Sequence, residues 1–134
     1  MRTILRAVLL LVSMNASAGD VYHCADTASN GFQLKDDRYA PALFNAQEFK
    51  MQLDGMRVEL KHITDWTDGT YECERIWGFS KRQYLTCRRN AANFNYNTKT
   101  GHYTRTYSQG WLQDDPSSER DSLDITYGTC EKFD

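Results

Sequence analysis

Cysteine, carboxylate and histidine are the residue types through which this chain could do chemistry, and spacing tests each of them. Four cysteines, Cys24, Cys73, Cys87 and Cys130, could hold zinc as thiolates or close two disulfides. A zinc site wants paired ligands at short spacing, as in C-x-x-C, but the nearest two cysteines are separated by thirteen residues and His23 beside Cys24 does not complete a set. The spacing therefore predicts disulfides, two bonds among three connectivities, in a chain that folds in an oxidising compartment. No metal site and no cofactor is expected.

The carboxylates offer two arrangements. Glu72 and Glu74 lie two apart on a candidate strand, so they project from one face about 7 Å apart, which suits an acid and base acting through a water. Arg88 would neutralise Glu72 in a Cys73–Cys87 register and neither residue sits in an obviously apolar pocket that would raise a pKa, so a solvated sheet face explains them better. His62, Asp65 and Asp68, in His62-Ile63-Thr64-Asp65-Trp66-Thr67-Asp68-Gly69, could be drawn as a metal or general-base cluster. A calcium loop, however, alternates oxygen ligands over twelve residues and ends on Glu, so a polar hairpin connection is the expectation here. With the cysteines bonded, a nucleophile would have to be a serine, and none sits in G-x-S-x-G. His23, His62 and His102 read as ordinary strand residues. Lys81-Arg82 and Arg88-Arg89, with Tyr84 between, make a local basic patch that reads as a solvated hairpin tip. Binding is expected of this chain, and catalysis is not.

The compartment follows from the first residues. Arg2 and Arg6, the apolar run Ile4 to Val12 and the small-residue pattern Ala16-Ser17-Ala18 read as a secretory signal peptide over residues 1–18, cut before Gly19. A membrane anchor needs roughly 20 apolar residues, about twice what is present. The expected product is one disulfide-braced domain over residues 19–134, about 116 residues, the usual size of a single core. The whole chain carries 16 basic and 18 acidic residues; removing Arg2 and Arg6 leaves 14 against 18, a net charge of −4. That balance predicts neither a nucleic-acid nor an anionic-membrane partner. A missing N-x-S/T site in the mature part agrees with a bacterial, periplasmic location.

Strands must position these groups. Short alternating runs bounded by Gly, Asn and Asp predict Val21 to Ala25, Gly31 to Lys35, Glu48 to Leu53, Arg57 to Thr64, Thr70 to Trp77, Gln83 to Arg89, Asn93 to Asn97, His102 to Trp111 and Ser122 to Thr129. One helical turn or two is expected near Ala40 to Gln47. Asp54-Gly55, Asp68-Gly69 and the stretch Asn97 to Gly101 mark reversals, the last bringing Tyr96 opposite Tyr103. The fold class is all-β, an antiparallel meander of about eight strands that closes into a small barrel or folds into a sandwich to remove its edges. A direct Cys73 to Cys87 bond makes paired positions sum to 160, which sets Glu72 opposite Arg88. The other bond, Cys24 to Cys130, then ties the first strand to the last.

Two features point to a partner. Gln113 to Asp121, Gln-Asp-Asp-Pro-Ser-Ser-Glu-Arg-Asp, is an acidic connection in which Asp114, Asp115, Glu119 and Asp121 could meet a cationic surface on a rigid frame. Trp66 either plugs the end of the core or anchors a partner. The expected function is a secreted, periplasmic protein-binding module, an inhibitor or immunity protein against a cationic secreted hydrolase such as a cell-wall enzyme. The alternatives are a lipocalin-like barrel with Phe49, Phe94, Tyr96, Tyr103 and Tyr107 lining an apolar cavity, and a hydrolase on an unfamiliar fold, which would need polar groups converging in a cleft.

Overall fold

Alternating apolar and polar residues carry the chain through antiparallel strands in the computed structural model, which describes residues 19–62, 67–76, 83–112 and 122–133. Among the described residues nine strands form: β1 (Asp20–Lys35), β2 (Arg38–Phe44), β3 (Glu48–Asp54), β4 (Arg57–Lys61), β5 (Gly69–Arg75), β6 (Tyr84–Arg89), β7 (Ala92–Asn97), β8 (His102–Tyr107) and β9 (Leu123–Lys132). From β3 to β9 each strand pairs with the next, and β1 pairs with both β3 and β9. The meander thus closes into an eight-stranded barrel, and closure removes the edges that a sandwich would have kept.

β2 stands outside this closed set. β1 pairs with β3 from Asp20 to Ala25 and with β2 from Ser29 to Lys35, while its opposite edge follows β9 from Tyr22 to Phe32. Between the two pairings β1 carries a bulge, because Asp26 is opposite Gly128 and Ala28 opposite Tyr127, leaving Thr27 as the extra residue. Side-chain alternation changes phase there: Cys24 and Asp26 face inward, and beyond the bulge Ser29 does so while Asn30 and Phe32 face out. The two strands expected at Val21 to Ala25 and Gly31 to Lys35 are therefore one bent strand.

The helix expected near Ala40 to Gln47 is instead β2 and its exit. Asp36 and Asp37 have φ of 50° and 60°, the geometry of a two-residue type I′ hairpin, which Asp tolerates better than most residues with a Cβ. That turn folds Arg38 to Phe44 back onto β1 and satisfies its backbone in the ladder. Pro41 sits mid-strand, which is allowed because β2 is bonded on one side only. The strand expected from His102 to Trp111 ends at Tyr107, and Gly110–Leu112 forms a short 3₁₀ turn.

Two other reversals follow the sequence closely. Asp54 pairs with Arg57, so Gly55 and Met56 make a two-residue loop in which Gly55 supplies the positive φ, 59°. Asn97 Oδ1 accepts from the N–H groups of Lys99 at 2.9 Å and Thr100 at 3.2 Å, Gly101 has φ 75°, and Tyr96 does face Tyr103. At the second predicted reversal Asp68 Oδ2 accepts from His62 N–H at 2.9 Å; Asp65 and Trp66 lie outside the described residues.

Aromatic side chains fill the barrel. Phe49 meets Tyr103 edge-on at 5.3 Å between ring centroids, Phe94 stacks on Tyr103 at 5.4 Å and on Tyr96 at 6.2 Å, and Tyr22 closes on Tyr96 at 6.0 Å. Met51, Val58, Leu60, Tyr71 and Leu85 complete the buried cluster. Burial raises the hydroxyl pKa of Tyr71 and of Tyr96 to about 12, so both stay protonated, and Tyr71 donates to the carbonyl of Thr67 at 2.7 Å.

Both disulfides join directly opposed residues, Cys73 with Cys87 on β5 and β6 and Cys24 with Cys130 on β1 and β9, as the register reading expects. Two such bonds belong to an oxidising, extracytoplasmic environment. Glu72 is opposite Arg88 in the backbone register, but it is also opposite Arg57 on its other side and pairs with that residue, at 3.2 Å, while Arg88 reaches diagonally to Glu74 at 4.0 Å.

The sequence separations are 106 and 14 residues, for which loop-closure entropy gives about 4.7 and about 3 kcal/mol. Replacing Cys24 and Cys130 together by Ala should therefore cost more stability in urea unfolding than replacing Cys73 and Cys87. It should also speed amide exchange at both ends of the described barrel, whereas opening the β5–β6 bond should affect that hairpin alone.

Candidate functional site

The inward row of β1 ends on a charge. Asp26 follows Tyr22 and Cys24 on the interior face, its side chain is 0% exposed, and four donors surround it. Arg105 reaches it through Nη2 at 2.5 Å and Nε at 3.4 Å, Tyr103 donates its hydroxyl at 2.6 Å, and the Gln47 N–H donates at 2.9 Å. Arg105 is itself only 12% exposed and lies over the Phe49 ring at 5.6 Å. Burial, and then the bond to Asp26, push the Tyr103 hydroxyl pKa well up, so it remains a donor.

A missing side chain makes this reach attainable. Gly128 of β9 stands between Asp26 and Tyr103 in the register, and a Cβ there would collide with the Ala25 carbonyl and with the Tyr103 hydroxyl. The same interior end holds more polar groups. Ser29 and Thr126 share a buried hydroxyl contact at 2.6 Å. Arg89 points inward and comes so close to Gly69 that a Cβ would lie 2.5 Å from its Nε, so the basic Arg88-Arg89 pair expected at a solvated tip is divided between the two faces of β6. Asp124 is partly buried, and its carboxyl is pushed up to about 6, first by loss of solvent and then by Asp26, against the opposing pull of Arg105.

This cluster holds the bend of β1; the bend in turn builds the surface most open to a partner. Beyond the bulge, Asn30 is opposed to Leu43 on one side and Ile125 on the other, and Phe32 to Pro41 and Leu123. Strand alternation sets these side chains on one outer face, with Tyr127 two residues along β9. Leu43 is 85% exposed, Ile125 58%, Tyr127 54% and Phe32 46%. Trp111 and Leu112 are exposed as well, and the Trp111 ring meets Tyr39, which shares the alternation of Pro41 and Leu43, at 5.6 Å. A contiguous apolar sheet face of this kind on a water-exposed barrel is a feature of interaction surfaces.

The residues singled out in the sequence fall elsewhere. Glu72 and Glu74 are exposed and paired with arginines, as a solvated face requires. His23 is near Glu48 at 3.8 Å and meets Phe133 edge-on. Asp114, Asp115, Glu119 and Asp121 lie outside the described residues; the chain leaves at Leu112 and returns at Ser122, next to Leu123 of the apolar face. Asp26, Arg105 and Asp124 went unread, although each shares its strand parity with aromatic or cysteine residues, and a charge on an apolar row signals an interior partner. No family model, curated protein or solved structure matches this chain.

Asp124 sets a pH dependence. Its native carboxyl titrates near 6 against an ordinary 3.8, so between these values the native state holds a proton that the unfolded chain has released. The stabilisation is fully present below the lower value and is lost as pH rises through 6, amounting to about 3 kcal/mol at most. Asp124→Asn should therefore raise the Tm at pH 7.5 and leave it little changed at pH 4, measured by paired thermal melts. Arg105→Leu should instead destabilise by about 3–5 kcal/mol, since it strands a buried carboxylate, and adding Asp26→Asn should recover part of the loss.

Proposed function

We propose that the protein is an extracytoplasmic protein-binding module that docks its partner on the outer face of β2, β1 and β9. The observation that carries this reading is the exposure of Leu43, Phe32, Ile125 and Tyr127 side by side on strands that the bulge and the Asp26 cluster hold rigid. Rigid apolar side chains dock without a large ordering cost. Pro41 weakens the free edge of β2 as a template for strand addition, which favours contact through the face over contact through the edge.

The finer reading is a periplasmic inhibitor of a cationic secreted hydrolase. It draws on the acidic residues Asp114, Asp115, Glu119 and Asp121, which belong to the connection that begins and ends beside this face. Carboxylates at the rim of an apolar contact steer a basic partner and set the association rate more than the final affinity. The aromatic packing inside the barrel weighs against the lipocalin-like alternative, since Phe49, Phe94, Tyr96 and Tyr103 pack on one another. The hydrolase alternative meets a full set of donors at Asp26, whose oxygens have none to spare for a substrate.

The test is affinity isolation from periplasmic fluid with the oxidised protein, identification of the bound enzyme, and measurement of its Kd and residual activity. Leu43→Asp and Ile125→Asp, both exposed and so neutral for folding, should weaken binding at least tenfold; unchanged affinity in both would remove the face. Replacing the four acidic residues by Ser should slow association at low salt and leave dissociation nearly unchanged, by stopped-flow or surface-based kinetics.

A further inference from the structure

The outer surface of the barrel is divided by chemistry. On β3, β4 and β5 the outward positions carry charge, including Glu48, Lys50, Glu59, Lys61, Glu72 and Glu74. On β7 and β8 they are Asn93, Asn95, Asn97, Thr104 and Thr106, with Tyr84 and Thr86 beside them on β6. Among the described residues no carboxylate lies on the outer face of β6, β7 or β8; Glu74 of β5 borders it, opposite Thr86 and paired with Arg88, and His102 stands at the other corner.

Three asparagines at successive outward positions are not what a solvated strand requires. Asn is among the residues most depleted in strands, and Thr, Lys or Glu would solvate the same face at lower cost. A run of choices against local propensity is the pattern that functional surfaces show. Two of the amides are held across the ladder, Asn95 Nδ2 donating to Thr104 Oγ1 at 3.3 Å and Asn93 Nδ2 to Thr106 Oγ1 at 3.5 Å. These long contacts orient the carboxamides along the ladder. Asn97 is used differently, as the acceptor that shapes the turn to Gly101.

The same stretch is concave. Tyr84, Asn95, Asn97, His102 and Thr104 line an open groove of about 350 Å³. Its lining offers donors and acceptors in neutral pairs, because an amide carries both on one plane and a hydroxyl carries both on one atom. Tyr84 adds an amphipathic ring at the border. The groove lining holds neither carboxylate nor arginine, and it exposes more apolar than polar surface, so it suits a neutral ligand that presents hydroxyl pairs along its edge and an apolar C–H face.

We infer that the β6–β7–β8 face is a carbohydrate-binding site for a neutral, linear pyranose oligosaccharide, with Asn95 and Thr104 as its hydrogen-bonding centre and Tyr84 as the ring platform. Vicinal hydroxyls are the ligand groups that pair with a carboxamide through both its donor and its acceptor. The site adjoins the apolar face, Thr104 being opposed to Tyr127, but shares no residue with it and does not depend on the reading given to that face.

The test uses the mature oxidised protein labelled with ¹⁵N and titrated with cellohexaose and with the hexamer of N-acetylglucosamine. Binding of either should shift amides of β6, β7 and β8 around Asn95 first, and Asn93→Val with Asn95→Val should weaken it at least tenfold. That double variant favours the strand and should keep or raise the Tm, so loss of binding will not be loss of fold. Leu43→Asp should leave the titration unchanged, which separates this site from the protein-docking face. No shifts with either sugar up to millimolar concentration, shifts centred outside the three strands, or equal affinity in the Asn variant would each overturn the assignment.

Discussion

The carboxylate of Asp26 is the interaction around which the barrel is organised. It sits where β1 gives up β3 as a neighbour and takes β2, so the backbone there has lost the regular ladder on one edge and gained an extra residue on the other. Asp26 repairs both. It accepts from Gln47 at the entry to β3 and from Tyr103 and Arg105 on β8, and its own N–H donates to the Gln47 carbonyl at 2.9 Å. One buried anion thus ties together strands that lie on three sides of the bulge. A buried charge with so many donors holds one geometry in particular, because any other arrangement would leave a charge unpaired in a low-dielectric interior.

What lies on either side of Asp26 follows from that constraint. Toward the N-terminus the interior is aromatic and closed, with the Cys24–Cys130 bond fastening first strand to last. Toward the C-terminus of β1 the phase of alternation has changed, β2 has joined, and apolar side chains that would have been inward without Thr27 now face outward. The bulge thus turns Phe32 outward to join Ile125 and Tyr127, which the unbroken alternation of β9 already sets on that face, and Leu43 of β2. The polar face of β6 to β8 adjoins it through the opposed pairs Thr104 with Tyr127 and Thr106 with Ile125. A barrel with a filled interior thus carries its distinctive chemistry on the outside.

Local sequence determined a good deal of this. Period-two alternation and the turn residues Gly55 and Gly101 specified most of the strands, and one hairpin register specified the Cys73–Cys87 bond, since these depend on neighbours along the chain or on one hairpin; Cys24–Cys130, 106 residues apart, followed only as the pair that remained. The signal-like leader and the acidic stretch at Gln113 to Asp121 are likewise properties of composition. Tertiary structure decided the rest. Asp36 and Asp37 turn β2 back as a strand because a paired edge was available on β1, which no local pattern around Pro41 displays. The choice of barrel over sandwich rests on the β1–β9 pairing across nearly the whole chain. Asp26 and Tyr103 are far apart in sequence and met only where Gly128, lacking a side chain, let the Tyr103 hydroxyl reach across β9, and Arg105 and Asp124 joined them through the closed ladder; a long-range interaction of that kind leaves no periodic trace for a sequence to show.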